Sequence, residues 1–273
     1  MSSFNNKNIL VTGGANGIGK LMGLKALQEG AQCLVVWDVD ELAMEKLTKE
    51  CDANNRSCYT YKVNLLNSEE IEKAAEAVME EVGNIDILFN NAGIVAGKSF
   101  LNQTKDDIQK TLAINVEAVM LTAKAFLSDM VEQNSGHIIN ISSASSLMGN
   151  PNMSVYAASK WAVTGWSESL RIELEQMGSN VKVTTVQPSY IDTGMFAGVK
   201  APLLTPLLEP EDIANKIIRA VKNDKIILRE PFMVKFTPFL KGILPTRMFD
   251  IVAGRLFKVY SSMNNFKGRG NDE

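Results

Sequence analysis

Two ionisable side chains four residues apart, Tyr156 and Lys160, give the first indication of chemistry in this sequence of 273 residues. Four residues correspond to about one turn of an α-helix, so both side chains would lie on the same helical face. A free tyrosine has a pKa of about 10, and a neighbouring ammonium group lowers it by favouring the phenolate. The pair therefore predicts proton transfer to or from an alcohol or carbonyl oxygen. An ordinary amphipathic helix is the alternative interpretation of the same spacing.

A glycine-rich turn near the start of the chain indicates a phosphate site. The apolar run Lys7–Val11 leads into Thr12-Gly-Gly-Ala-Asn-Gly-Ile-Gly19, and a helical pattern follows. Between a strand and a helix, glycines let the backbone approach a pyrophosphate, which the helix N-terminus then stabilises. The spacing G-x-x-x-G-x-G differs from the G-x-G-x-x-G fingerprint, and a plain turn is the alternative.

Asp38 closes the next apolar run, Gln32–Trp37, and lies 19 residues after Gly19. An acidic residue about 20 positions beyond the glycines is expected to accept hydrogen bonds from the ribose hydroxyls and to repel a 2′-phosphate. No lysine or arginine stands beside Asp38, so we expect NAD rather than NADP. Asp38 could instead cap a helix over Glu41–Glu50.

With four further motifs, the sequence resembles the short-chain dehydrogenase/reductase family from about Lys7 to Leu228. The additional motifs are Asn90-Asn-Ala-Gly93, Asn115, Ser143, and Pro188 followed by Thr193. The resemblance implies an enzyme that acts on CH–OH groups with a nicotinamide dinucleotide.

The resemblance also implies a catalytic set of Asn115, Ser143, Tyr156 and Lys160. Tyr156 would be the general acid/base, and Lys160 would lower its pKa and hold the nicotinamide ribose. Ser143 would orient the substrate oxygen. Asn115 would hold a water that connects Lys160 to solvent, with a satisfied amide in a helix interior as its alternative role.

A larger set of residues would bind the cofactor. They are Thr12, Gly13, Asn16, Gly17, Ile18, Gly19, Asp38, Asn64, Leu65, Asn91, Ala92, Gly93, Tyr156, Lys160, Pro188, Ile191 and Thr193. Two positions depart from the family pattern. Asn64 stands where an aspartate commonly contacts adenine, although its amide oxygen can still accept a hydrogen bond. Ser189 stands where glycine usually follows Pro188, so the loop over the nicotinamide is expected to differ.

The alternation of strand and helix patterns predicts an α/β fold. Strand patterns lie near residues 8–12, 32–37, 58–63, 85–90, 137–142, 181–187 and 225–229, and helical patterns near 17–30, 68–82, 104–132, 154–178 and 210–223. This alternation predicts a single doubly wound, Rossmann-type domain with a seven-stranded parallel sheet and helices on both faces. Residues 1–230 would form this dinucleotide-binding and catalytic domain.

The sequence offers little support for metal or thiol chemistry. Its one histidine, His137, lies in an apolar run that suits packing, and Cys33, Cys51 and Cys58 lack C-x-x-C spacing. We therefore expect no metal site and find no sequence support for a Cys51–Cys58 disulfide. Sparse cysteines suit a reducing compartment, and the first residues lack the apolar core of a signal peptide. We expect a cytoplasmic protein without a nucleic-acid partner.

The C-terminal extension, residues 231–273, differs from the rest of the chain. From Pro231 to Gly270 it carries seven basic residues against Asp250, a net charge of +6, whereas the whole chain carries −3. Its charges, together with Pro238 and Pro245, exclude a simple spanning helix. The extension would cover the substrate cleft, form a subunit interface, or make a peripheral contact with an anionic membrane surface. The leucine-rich segment 193–209 is expected to form an apolar lid beside the nicotinamide. Together with this lid, each of the possible roles of the extension favours an apolar substrate.

Together these features predict an NAD-dependent oxidoreductase that transfers hydride between nicotinamide and a hydrophobic secondary alcohol or ketone. The resemblance suggests a steroid-, retinoid- or lipid-like substrate. A 3-oxoacyl-thioester reductase of fatty acid synthesis and a non-catalytic dinucleotide-sensing protein are the alternatives. The resemblance also implies a homodimer or homotetramer, formed through the helix that begins at Tyr156 and carries Trp161 and Trp166.

Overall fold

Seven parallel strands form the centre of the molecule, in a computed structural model that describes residues 1–268. Arg269 of the predicted basic extension lies outside the described residues. The strands are β1 (Asn8–Thr12), β2 (Cys33–Asp38), β3 (Ser57–Lys62), β4 (Ile87–Asn90), β5 (His137–Ile141), β6 (Lys182–Pro188) and β7 (Ile227–Glu230). They pair in the order β3-β2-β1-β4-β5-β6-β7, and every pair is parallel. The predicted seven-stranded parallel sheet is confirmed.

Helices follow most strands and cover both faces of the sheet. They are α1 (Gly17–Gln28), α2 (Glu41–Ala53), α3 (Ser68–Glu81), α4 (Lys105–Leu112), α5 (Ala118–Glu132), α6 (Ser154–Gln176), α7 (Pro210–Lys222), α8 (Phe232–Ile243) and α9 (Thr246–Asp250). Residues of α1, α2 and α7 pack against one face of the sheet. Residues of α3, α5 and α6 pack against the other.

The burial of the strands explains why they read as apolar runs rather than as alternating patterns. In β1, Ile9 and Val11 belong to the hydrophobic cluster on one face, while Leu10 belongs to the cluster on the other. In a parallel sheet covered on both faces, successive side chains enter two separate cores, so most of them are apolar. The carboxyl ends of the strands therefore remain the place where polar side chains can meet.

A single helix predicted over residues 104–132 is interrupted in the structure. A capping box formed by Thr104 and Asp107 begins α4, and a π-helical turn, Ala113–Glu117, separates α4 from α5. A π-helical turn adds a residue to the helical repeat and often marks a functional site. This turn carries Asn115, which explains physically why the segment departs from a regular helix.

The same segment, Lys105–Glu132, is long and apolar enough to cross a membrane by length and composition. In the structure its apolar side chains pack beneath the sheet instead. Ala123, Phe126 and Met130 are each 1% exposed and belong to the core cluster that contains Leu88. Its apolar character is thus accounted for by packing in the core.

The C-terminal extension packs at the edge of the sheet where the strands end. After α8 and α9, a π-helical turn spans Ile251–Leu256 and a short 3₁₀ turn spans Val259–Ser261. The backbone amide of Leu203 donates to the carbonyl of Phe257 at 2.9 Å. The hydroxyls of Tyr190 and Ser262 lie 2.8 Å apart. These contacts join the extension to the segment that follows β6.

Candidate active site

The structure brings Ser143, Tyr156 and Lys160 together at the carboxyl edge of the sheet. Ser143 follows the end of β5, while Tyr156 and Lys160 lie in the first two turns of α6. All three line one cavity of about 660 Å³. They are 7%, 6% and 4% exposed, so the chemistry would take place largely away from water.

The three side chains form a connected set. The hydroxyl of Ser143 lies near enough to the phenol of Tyr156 to lower its pKa. The ammonium group of Lys160 donates to the carbonyl oxygen of Ile141 at 2.8 Å and lies 5.7 Å from the centroid of the Tyr156 ring. The end of β5 therefore fixes both the serine and the cation beside the phenol.

The pKa values of Tyr156 and Lys160 are shifted in opposite directions. Burial raises the pKa of Tyr156 to about 12, and the hydrogen bond from Ser143 offsets this only in part. Burial also lowers the pKa of Lys160 to about 8. Burial is the largest influence on the pKa of both groups, and the lowering of the Tyr156 pKa by Lys160 stays a prediction.

Asn115 lies beside this set as a fully buried amide. Its Oδ1 accepts from the backbone amide of Ile94 at 2.8 Å, and its Nδ2 donates to the carbonyl of Ile94 at 2.9 Å. Nδ2 also donates to the hydroxyl of Ser159 at 3.0 Å. Asn115 thus ties the loop after β4 to α6, in agreement with the alternative role of a satisfied amide. Its part in a water relay stays a prediction.

The glycine-rich turn forms a cradle in front of α1. Gly13 and Gly17 have φ values of 61° and 55°, in the left-handed region that favours glycine. A Cβ atom on Gly19 would clash with the carbonyl oxygen of Gly13 and would lie 2.5 Å from Nδ2 of Asn91. Asn16 precedes α1 without a side-chain cap, so the first amides of the helix face the cavity as donors for an anion.

Asp38 lies at the end of β2 and also lines the cavity. Its Oδ2 accepts from the amide of Ala15 at 3.0 Å, and its Oδ1 accepts from the amides of Val39 at 2.8 Å and Asp40 at 3.2 Å. The alternative role of Asp38 as a helix cap is wrong, because Asp40 caps α2 by accepting from Ala43.

Thr12 has a different role from the one that the family pattern implies. Its hydroxyl oxygen accepts from the amides of Asn91 and Ala92 at 3.0 and 3.1 Å. The side-chain Nδ2 of Asn91 in turn donates to the carbonyls of Thr12 and Gly13. Thr12 is 2% exposed and is not among the cavity-lining residues. It fixes the glycine turn against the loop after β4.

Every other residue predicted to bind the cofactor lines the cavity. Asn64 does so while its Oδ1 accepts from the amide of Leu66 at 3.1 Å, which leaves its Nδ2 to face a ligand. Ser189, the second departure from the family pattern, lines the cavity too, and its amide donates to Glu230 at 2.8 Å.

The far end of the cavity is mainly apolar and was largely missed by motif reasoning. Its lining residues include Met148, Asn150, Tyr190, Met195, Phe196, Pro202, Thr205, Val234, Thr237 and Val259. The ring of Phe196 meets those of Tyr156 and Tyr190 edge-on, with centroids 6.2 and 5.1 Å apart. The apolar run after Thr193 was the sequence signal for Met195 and Phe196, whereas contributions from α8 had no motif to reveal them.

His137 and the cysteines lie apart from the site. His137 is 1% exposed at the amino end of β5, and its ring nitrogens lie 3.0 Å from the Ser2 hydroxyl and 2.8 Å from that of Thr184. Burial lowers its pKa to about 4. Cys51 and Cys58 are free thiols in the structure.

Comparison with known families places residues 7–203 in register with the model for short chain dehydrogenases. The chain is 38% identical to mouse epidermal retinol dehydrogenase 2, covering 96% of this chain and 85% of that protein. It is 35% identical to human short-chain dehydrogenase/reductase 3, covering 96% and 87%. It is 30% identical to human estradiol 17-beta-dehydrogenase 11, covering 95% and 86%.

Solved structures agree with the fold. A short chain dehydrogenase/reductase from Burkholderia phymatum in complex with NAD superposes with a TM-score of 0.79 at 25% identity, covering 93% of this chain and 96% of that one. A metagenomic short-chain oxidoreductase in complex with NADP gives a TM-score of 0.71 at 28% identity, covering 84% and 96%.

Proposed function

The chain belongs to the short-chain dehydrogenase/reductase family, and we propose that it oxidises a hydrophobic alcohol with NAD as the hydride acceptor. The family model matches residues 7–203, and relatives named as retinol and estradiol dehydrogenases align over nearly the whole chain. It is therefore an oxidoreductase acting on CH–OH groups. The observation that carries the finer proposal is the convergence of Ser143, Tyr156 and Lys160 in a cavity with an apolar far end.

The described residues fit a nicotinamide dinucleotide. The cradle between Gly13 and Gly19, in which a Cβ atom at Gly19 has no room, would hold the pyrophosphate against the free amides of α1. Asp38 would hold the adenosine ribose, and Lys160 the nicotinamide ribose. When bound, the oxidised dinucleotide would supply the hydride acceptor.

Tyr156 would accept the hydroxyl proton of the substrate while Ser143 holds the alcohol oxygen by a hydrogen bond. Because burial raises the tyrosine pKa to about 12, the phenolate needs stabilisation by neighbouring groups such as Lys160. The hydrogen bond that Ser143 supplies favours the phenolate as well. Lys160, fixed by the Ile141 carbonyl, keeps its charge close to the developing phenolate throughout proton transfer.

Asp38 supports the preference for NAD. Its carboxylate accepts three backbone amides, and this fixes a negative charge where a 2′-phosphate would have to lie. Asp40 adds a second carboxylate nearby, held by the side-chain amide of Asn16 at 3.0 Å. Lys62 is the cross-strand neighbour of Asp38, and its charge is paired with Glu41, while that of Lys20 is paired with Glu50.

The far end of the cavity supports a hydrophobic substrate. Phe196, Met195 and Val259 line it together with Val234 and Thr237 of α8, and none of these side chains is charged. Retinol is a primary alcohol, so the names of the relatives extend the proposal from secondary alcohols to hydrophobic alcohols of both kinds, steroid-, retinoid- or lipid-like. The C-terminal extension contributes part of this wall, as expected for a cover over the substrate cleft.

We propose that the protein forms a homodimer or homotetramer through α6. Trp161 of this helix is 44% exposed and Ile172 is 40% exposed, so both could contribute apolar surface to a contact. Between them Gly165 leaves open space above the helix, which allows a partner helix to approach closely. We also propose a cytoplasmic location with peripheral attachment to membranes.

A substrate panel with both cofactors tests the proposed function. Purified protein would be assayed with a steroid alcohol, retinol, a long-chain alcohol and a 3-oxoacyl thioester, each with the NAD and the NADP pair. We expect turnover of one of the hydrophobic alcohols with NAD, abolished in a Tyr156→Phe variant. Turnover of the thioester with NADPH, together with tighter binding of NADPH than of NADH, would instead assign the reductase of fatty acid synthesis.

A further inference from the structure

One face of α8 exposes a continuous stripe of apolar side chains. Phe232, Phe236, Phe239 and Ile243 are separated by four, three and four residues, and at 100° per residue they fall on one narrow side of the helix. They are 64%, 42%, 63% and 63% exposed. The rings of Phe232 and Phe236 meet at 4.9 Å between centroids. We call these four residues the outer stripe of α8.

The opposite face of the same helix lines the cavity. Val234 is 4% exposed, and it lines the cavity together with Thr237. At 100° of rotation per residue about the helix axis, both residues lie roughly on the opposite side of α8 from the outer stripe. One helix therefore separates the apolar end of the active-site cavity from the surface that carries the exposed phenylalanines.

The extension that contains the outer stripe carries a net positive charge, although Lys235 also lies 3.5 Å from Glu230 and Lys241 donates to the carbonyl of Leu147 at 2.9 Å. Within residues 231–268 the extension carries Lys235, Lys241, Arg247, Arg255, Lys258 and Lys267 against Asp250 alone, a net charge of +5 in a chain of net charge −3. Lys235 lies 5.7 Å from the ring centroid of Phe232. Arg247 keeps a side chain that is 94% exposed.

We propose that the outer stripe of α8 inserts into the surface of an anionic phospholipid bilayer, with the basic residues of the extension contacting the lipid headgroups. An amphipathic helix with aromatic and aliphatic residues on one side and basic residues beside them suits an anionic interface, where apolar burial and charge attraction act together. The occupant is a lipid surface, because charge complementarity requires an anionic partner.

A second copy of the chain fits this surface less well. A two-fold contact brings the same patch of both subunits together, so it would place one net positive extension against another. Like charges brought together at a contact oppose association. Apolar attraction alone would have to overcome that repulsion, whereas an anionic bilayer satisfies both features of the surface.

The inference rests on the proposed function in one respect: docking at α8 would present the apolar end of the cavity to alcohols dissolved in the bilayer. The docking itself does not depend on catalysis. Binding to vesicles can be measured without any substrate, so failure of the docking and failure of the proposed function give different results.

The test measures co-sedimentation of the full chain with vesicles. One set contains phosphatidylserine and phosphatidylcholine in equal parts, and the other contains phosphatidylcholine alone. We expect binding to the anionic vesicles that weakens as salt is added, because screening shortens the reach of the headgroup field. Absence of binding to the anionic vesicles would overturn the proposal.

A matched pair of double variants then locates the surface. Phe232→Ser with Phe239→Ser removes two side chains that are 64% and 63% exposed, and Leu42→Ser with Met177→Ser removes two that are 70% and 68% exposed on other elements. We expect the first pair to weaken vesicle binding by about tenfold or more and the second to leave it unchanged. If both double variants bind the vesicles equally well, the proposal is overturned, even if the unmodified protein binds them.

Two further measurements separate the remaining outcomes. Light scattering without lipid should give the same mass for the first double variant as for the unmodified chain. If that variant is smaller, the outer stripe belongs to a second copy and the proposal fails. Tyr156→Phe should abolish turnover and leave vesicle binding intact, while the Phe232/Phe239 variant should keep its kcat with a water-soluble alcohol.

Discussion

The ammonium group of Lys160 donates a hydrogen bond to the carbonyl oxygen of Ile141, 2.8 Å away, at the last residue of β5. The same strand end leads to Ser143, whose hydroxyl lowers the pKa of Tyr156. One strand terminus thus sets the positions of the cation, the serine and, through them, the acid/base. The arrangement has an energetic cost, because Lys160 is 4% exposed and burial lowers its pKa to about 8.

Replacing Lys160 by methionine should therefore stabilise the protein at neutral pH. The unfolded chain holds a proton on Lys160 up to about its ordinary pKa of 10.5, whereas the folded chain releases it near 8. The free energy of unfolding of the unmodified protein then rises with pH between these values. Below pH 8 the free energy of unfolding of Lys160→Met should exceed that of the unmodified protein by up to about 3 kcal/mol. This difference should disappear as the pH approaches 10.5.

Urea unfolding at about pH 7 and about pH 10 measures this gap. Lys124→Met, at an exposed position of α5, is the matched control and should show little change at either pH. A gap for Lys160→Met that stays constant with pH would contradict a buried, titrating ammonium group.

Replacing Tyr156 by phenylalanine should lower kcat by about a hundredfold to ten-thousandfold, the usual contribution of a general acid or base. Binding of the dinucleotide should change little, since Tyr156 contributes only one of many lining groups. Tyr190→Phe is the matched control: its hydroxyl bonds Asn150 and Ser262 and takes no part in the proposed proton transfer. Equal losses in both variants, measured by steady-state kinetics, would assign the effect to packing.

The elements that could be predicted from sequence are those whose cause is local. Runs such as Cys33–Trp37 are buried on both faces, and this burial makes them apolar and recognisable. The glycine turn could be identified because close backbone approach excludes other residues, as the lack of room at Gly19 shows. Tyr156 and Lys160 lie on adjacent turns of one helix, so their spacing alone placed them together.

The features that could not be predicted depend on contacts distant in the chain. The π-helical turn at Asn115 arises from bonds to Ile94, which no helical pattern encodes. The raised pKa of Tyr156 depends on burial beneath residues of several segments. The contribution of Val234 to the cavity requires α8 to fold back over the strand ends, and residues 231–268 carry no motif that indicates this.

Thr12→Val should weaken dinucleotide binding although Thr12 lies outside the cavity lining. Valine keeps the shape of the side chain but leaves the amides of Asn91 and Ala92 without their shared acceptor. An unsatisfied buried donor costs about 1–3 kcal/mol, so the free energy of unfolding should fall by that amount. Thr12→Ser retains the hydroxyl and should stay close to the unmodified protein. Calorimetric titration with NADH and urea unfolding of both variants would measure these effects, and equal affinities would exclude the positioning role.

Gly19→Ala should abolish dinucleotide binding at concentrations that saturate the unmodified protein. The added methyl group would meet backbone at Gly13 and the side chain of Asn91, so the turn has to open and lose its cradle. Gly23→Ala, one turn further along α1, would meet the end of the flexible Leu34 side chain at 2.8 Å and should bind NADH with near-normal affinity. Quenching of tryptophan fluorescence by NADH compares them; normal binding by Gly19→Ala would show that the turn does not hold the pyrophosphate.

Asp38→Asn should reduce the preference for NAD over NADP by about fivefold or more, because one fixed negative charge is worth about 1 kcal/mol or more at a ligand phosphate. Asparagine keeps one oxygen to accept from Ala15 or Val39, so the turn itself should survive the change. Asp40→Asn is the control. Asparagine can still cap α2, and the carboxylate that is removed, that of Asp40, lies two residues beyond Asp38 in the chain. The ratio of kcat/KM for NAD and NADP measures the effect in each variant. If Asp38→Asn leaves that ratio unchanged while Asp40→Asn lowers it, the discriminating charge lies at Asp40 and the assignment of the ribose contact to Asp38 is wrong.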